Sequence, residues 1–220
     1  MDRDTETRSL ALLCLEVSNA QGAGKILGEA LSDPSSDVRL TASQALNRTA
    51  LPSAWPYVVD AVRRNPDPGI RRNAALAAGK FPNAQAAELA EASRSEKDPD
   101  VRLASIQARA RLGDVSARKE FLADLRAAQG QVRIQWLDRC DYIGQSWVLP
   151  ALSTWLDDKN PARRIGADNM PGPQYLRVCD IVLNLATGTA QTHWTFKTGP
   201  ARNYSDAELK EARLAWAGLR

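Results

Sequence analysis

His193 is the only histidine in the chain, and it bounds the imidazole chemistry that is open. A metal site built on two or more imidazoles is excluded, and a Ser-His-Asp relay would have to run through this one residue. His193 lies in a stretch that reads as a loop, a poor place to hold a base in register. Cys14, Cys140 and Cys179 are odd in number and widely spaced, with no Cys-x-x-Cys pair to grip zinc or cycle between dithiol and disulfide. Each sits among apolar helix formers and reads as a small buried hydrophobe in reduced form. The run Gln21-Gly22-Ala23-Gly24-Lys25 is partly like a phosphate-binding loop. Asn19 stands where that motif needs glycine and Ile26 where it needs serine or threonine. No catalytic residue, metal or cofactor is expected.

One constellation has the right residue types for binding. Residues 136–142 read Trp136-Leu137-Asp138-Arg139-Cys140-Asp141-Tyr142, and Trp147, Trp155, Trp194 and Trp216 follow in the same half. Trp, Tyr and Arg are the usual anchors of protein interfaces. The binding set expected from sequence is Trp136, Asp138, Arg139, Asp141, Tyr142, Trp147, Asp180, Arg163 and Arg164. The competing reading is structural: Trp136 fills space, and Asp180, lying in an apolar stripe, pairs with Arg139 or Arg133.

These residues are positioned by a repeat. The stretch Asp33-Pro34-Ser35-Ser36-Asp37-Val38-Arg39 returns as Asn65-Pro66-Asp67-Pro68-Gly69-Ile70-Arg71 and as Asp98-Pro99-Asp100-Val101-Arg102, with weaker copies around Arg8, Arg133 and Arg177. Successive arginines are 31, 32, 31, 31 and 44 residues apart, so the last interval holds an insertion of about a dozen residues. Asp-Pro sets a turn and opens a helix, because aspartate caps it and proline is tolerated in its first turn. The apolar residue before each arginine and the alanines three and six after it share one helix face. A second helix is expected before each motif, near 19–31, 54–64, 83–94, 115–128 and 146–157. Trp136 and Asp180 break the column of small residues that this pattern requires. The insertion, about 158–174, reads as a loop.

Units of this kind resemble HEAT repeats of the short type found in bacterial and phycobilin-lyase-like proteins, over residues 5–187. The resemblance implies an all-α fold: an α-solenoid of about six helix pairs. It also implies that Arg39, Arg71, Arg102 and Arg133 pair with acidic groups near turns and hold the stack. Residues 188–220 depart from the repeat. Residues 190–198 read as an extended segment or hairpin. Ser205 with Glu208 forms a capping box opening a terminal helix that buries Leu209, Ala212, Leu214 and Trp216.

Hydrophobic residues at 44% and charged residues at 25% fit an ordinary folded protein. The net charge of +3 is thin for nucleic acid, whose binders carry a basic stripe; Arg63, Arg64, Arg71 and Arg72 are the best cluster. A HEAT-like DNA glycosylase is the alternative reading and a bilin lyase a weaker one. The expectation is a monomeric, non-enzymatic module that binds a protein partner and neither nucleic acid nor membrane. It would be cytoplasmic, or periplasmic if a leader has been removed.

Overall fold

The computed structural model describes residues 4–18, 20, 22–81, 85–165, 175–189 and 194–217. The chain is all-α apart from one two-stranded ribbon among these residues. It divides into two compact units, Met1–Lys119 and Glu120–Arg220.

In the first unit, α1 (Thr5–Ser18), α3 (Ser36–Thr49), α5 (Pro68–Ala78) and α7 (Pro99–Arg111) pack one on the next. A second layer is formed by α2 (Ala23–Glu29), α4 (Trp55–Arg64) and α6 (Ala86–Ala92). The caps follow the sequence. Asp67 accepts from the backbone N–H of Gly69 and Ile70, and Asp98 from Asp100 and Val101. At Asp33-Pro34 the register differs by two: Ser35 is the N-cap of α3, and Asp33 accepts from Ser35 N–H in the preceding turn. Val38, Ala42, Ala45 and Leu46 of α3 are buried with Ile70, Ala74, Ala75 and Ala77 of α5. The small column residues therefore admit close helix approach, as expected.

Gly24, in the run that is partly like a phosphate-binding loop, and Gly28 just after it have the same purpose. A Cβ on Gly24 would lie 2.8 Å from the Cβ of Leu51, and one on Gly28 would lie 2.6 Å from the ring of Tyr57. Both glycines let α2 meet the chain that enters α4.

The arginines form a ladder with one rule. Arg71 sends Nη1 to the carbonyls of Asn65 and Pro66, and its Nε and Nη2 to the two oxygens of Glu96 at 2.7 and 3.1 Å. Arg8 holds Asp33 through the same fork, at 3.0 Å for both bonds. The acceptor also serves its own chain, since Glu96 takes the N–H of Asp98 as Asp33 takes that of Ser35. Two expected rungs are missing. Arg39 keeps only the carbonyl half, from Nη1 to Asp33 and Pro34. Arg102 is exposed, and among the described residues no acceptor holds it. The column residue is Asn65 after Arg39 and Ala127 after Arg102, and neither offers a carboxylate.

The second unit holds the end of α8 (Val115–Ala127), α9 (Val132–Ile143), α10 (Leu149–Leu152), α11 (Val178–Thr189) and α12 (Asp206–Ala217). The helix expected near 146–157 is instead broken into 3-10 turns on either side of α10. The insertion is no simple loop: β1 (Pro161–Arg164) pairs antiparallel with β2 (Tyr175–Arg177). It is looped out of a repeat junction that otherwise closes normally. Asp158 answers Arg133 at 2.8 Å, and the first N–H groups of α11, from Val178 and Cys179, bond the carbonyls of Asn160 and Asp158. The extended segment expected at 190–198 forms no strand among its described residues 194–198, and His193 lies outside the described residues.

The terminal capping box forms: Ser205 N–H donates to Glu208, and Glu208 N–H to the Ser205 hydroxyl. Leu209, Ala212 and Trp216 are buried, but Leu214 is 68% exposed. Two residues past Ala212, it is turned by about 200° onto the outer face.

Candidate binding surface

Asp180 opens α11 at its first turn and is 0% exposed. Such a carboxylate is tolerated only if its oxygens are filled. Five N–H donors do this. Arg177 gives its backbone N–H, Nε and Nη2 at 2.9, 2.8 and 2.7 Å, Tyr204 gives its backbone N–H at 2.9 Å, and the Asn203 amide adds a fifth. Burial pushes the carboxyl up, but the Arg177 fork and the Tyr204 and Arg177 amides outweigh it and hold Asp180 below the usual carboxylate range. Arg177 also donates to the Tyr204 carbonyl, and the Tyr204 hydroxyl reaches Asn184 at 2.7 Å. The network thus fastens the chain entering α12 onto α11.

The partner expected for Asp180 was Arg139 or Arg133, and neither takes that place. The guanidinium of Arg139 lies 4.6 Å from the Trp136 ring centroid, and Arg133 is committed to Asp158. Register is the reason. Arg177 ends β2 at the entry to α11, three residues before Asp180, so its backbone N–H and guanidinium both reach the carboxylate, whereas Arg133 is spent on its own junction.

Trp136 is 5% exposed and meets the ring of Phe121 edge-on, with centroids 5.0 Å apart. Trp147 is half-buried, with its ring also against Phe121 and its Nε1 on Gln145. Trp136 is therefore core with a guanidinium lid, and not an exposed anchor. Asp138 and Asp141 stand on the outer face of α9, with Tyr142 half-buried beside them. Asp138 accepts from Arg163 Nη2 at 2.7 Å, which ties β1 to α9. Arg164 and Tyr175, facing each other in the ribbon's register, are exposed.

The nine expected residues thus separate. Asp138, Asp141, Arg163 and Arg164 are exposed, Arg139, Tyr142 and Trp147 are half-buried, and Trp136 and Asp180 are buried. Sequence reasoning missed Tyr175, Arg177, Asn203 and Tyr204. Only Arg177 carried a signal, its three-residue spacing from Asp180.

Burial pushes the Cys140 thiol up to about 12 and Cys179 to about 11, so neither is a thiolate nucleophile at neutral pH. Among the described residues no group of three or more His, Cys, Asp or Glu could hold a metal ion. No described helix is long and apolar enough to cross a membrane. Of the basic cluster, Arg71 is held by Glu96 and Arg64 lies 3.2 Å from Asp60, while Arg63 and Arg72 are exposed.

The family model for HEAT repeats matches residues 24–110. That segment is a HEAT-repeat array, and HEAT repeats in general are scaffolds for protein interaction. The match covers less than half of the chain. No curated protein matches the sequence.

Proposed function

We propose that this chain is a non-enzymatic protein-interaction module, an adaptor, assembly factor or toxin-neutralising protein. It engages its protein partner with the outer face of α9 and the β1–β2 ribbon. The Arg163–Asp138 pair is the observation that carries the reading. Both side chains are more than half exposed, so the pair adds little to folding, yet it presents a fixed ribbon beside a fixed helix. Arginine and tyrosine at such a place are the residue types that anchor interfaces.

The test is affinity capture from the native host, comparing the unaltered chain with Arg163→Glu and Arg72→Glu. A stoichiometric protein retained by the unaltered chain and Arg72→Glu but lost from Arg163→Glu supports the assignment. Retention by Arg163→Glu moves the site elsewhere. Capture of nucleic acid that salt releases steeply would replace the protein-binding class altogether.

A further inference from the structure

The missing rung at Arg39 leaves a specific vacancy. Asn65 occupies the column position held by Asp33 one repeat earlier and by Glu96 one repeat later. It keeps one of their two tasks, accepting the N–H of Asp67 at 3.0 Å. The other arm of an amide is a donor, and it goes to the Leu31 carbonyl at 3.0 Å. A guanidinium cannot be answered by an N–H. Among the described residues the Arg39 Nε is accordingly buried with no hydrogen-bond partner, in a protein where the same atom of Arg8 and of Arg71 is bonded to a carboxylate.

Arg39 and Asn65 both line a cleft of about 410 Å³ between α2, α3 and α4. Leu31, Pro34, Ala61 and the Tyr57 ring give it apolar wall. Arg64 stands at the position 25 residues after Arg39, the spacing at which Arg8 finds Asp33 and Arg71 finds Glu96, and it lines the same cleft. Its partner Asp60 is exposed and only loosely engaged, and Asp33, the other acid there, is neutralised by Arg8.

We propose that the cleft at Arg39 and Arg64 is a carboxylate-binding site, in which a ligand's carboxylate completes the rung that Asn65 leaves open. The geometry is already drawn twice in this unit, a planar carboxylate taken side-on by Nε and Nη2. Carboxylate fits better than phosphate because Asp33 and Asp60 border the cleft and oppose a second negative charge. The carboxylate can come from a free small acid or from an acidic residue of a polypeptide. This site is separate from the surface proposed on α9 and the ribbon, and stands whether or not that surface binds protein.

The experiment follows the Arg39 Nε–H resonance of the full chain by NMR during titration with glutarate, with a blocked Ala-Pro-Glu-Ala-Ala peptide and with inorganic phosphate. A saturable shift with glutarate or the peptide is expected, and the tighter of the two identifies the source. Asn65→Asp supplies the rung internally, and Arg39→Lys keeps the charge but loses the fork. Each should weaken binding roughly tenfold or more, as loss of a bidentate charge-assisted pair implies. Asn65→Asp should also raise Tm. No saturable shift with either carboxylate, affinity unchanged in both variants, or tighter binding of phosphate than of either carboxylate would overturn the proposal.

Discussion

The two units join acid to arginine in different ways. In the first, Arg8 meets Asp33 and Arg71 meets Glu96 across 25 residues of chain, at half-buried rims, and Arg71 also closes its own turn. The second makes that bond once, at Arg133 and Asp158, and then abandons it. After the ribbon, Arg177 meets an acid only three residues away, and that acid is wholly buried under the entry to α12. A repeat can share its acid with the next repeat, but the unit at Arg177 is followed by α12. Its acid turns inward and binds the capping segment instead. The sharpest break of this contrast is Asp180→Ala. It leaves the Arg177 guanidinium and the Tyr204 N–H without their acceptor, and the cost should be about 3–5 kcal/mol by chemical denaturation. Glu96→Ala, at a wetter rim, should cost about 1–3 kcal/mol. Equal losses would mean that the two junctions are energetically alike.

The ladder itself can be broken rung by rung. Arg71→Ala strips both a carboxylate and two carbonyls of their partner and should cost about 2 kcal/mol, whereas Arg102→Ala, exposed and unpartnered among the described residues, should stay within about 0.5 kcal/mol. Similar losses would show that helix propensity, and not the rung, sets the value of these arginines. Acid tests the rungs together. Glu96 is held below its ordinary range first by the Arg71 fork, against burial; in Asp33 and Asp158 burial pushes up, but the arginine and amide hydrogen bonds prevail. A carboxylate whose folded value is depressed contributes stability that is complete above its unfolded value and is lost as pH falls through the folded one. Stability should therefore hold from neutrality to about pH 5 and decline below it. Glu96→Gln should make that decline shallower, as read from denaturation midpoints against pH.

The residues that announced the fold were those whose task is local. Asp67 and Asp98 cap helices within three residues of themselves, and Ser205 with Glu208 closes a box within one turn, so spacing alone reveals them. The partner of Asp180 was hidden because the network depends on where residues 203 and 204 return in space, which no periodicity encodes. Leu214 was misplaced for a simpler reason: a leucine on a terminal helix was counted as core although its angle from Leu209 and Ala212 puts it outside. The insertion was visible as a longer interval, but not its ribbon, since Pro161-Ala162-Arg163-Arg164 has no alternation of apolar residues and its pairing partner lies across the residues that follow. Arg39 and Arg102 looked equivalent to Arg71 because the motif contains the arginine and not the acid that answers it in the next repeat. Aligning the column Asp33, Asn65, Glu96, Ala127 and Asp158 would have shown which rungs lack a carboxylate.

Asp138→Ala gives the smallest stability effect and the most pointed one. Both Asp138 and Arg163 are more than half exposed, so solvent screens their attraction and the side chains spend rotamer freedom to meet. The variant should unfold within about 0.5 kcal/mol of the unaltered chain. The ribbon, however, loses its tie to α9, and its amide hydrogens at Arg164 and Leu176 should exchange faster than before. That combination, global stability kept and ribbon protection lost, is what a pair serving presentation predicts. A drop comparable to Asp180→Ala would instead make the pair part of the same structural machinery, and would remove the reason for placing the binding surface there.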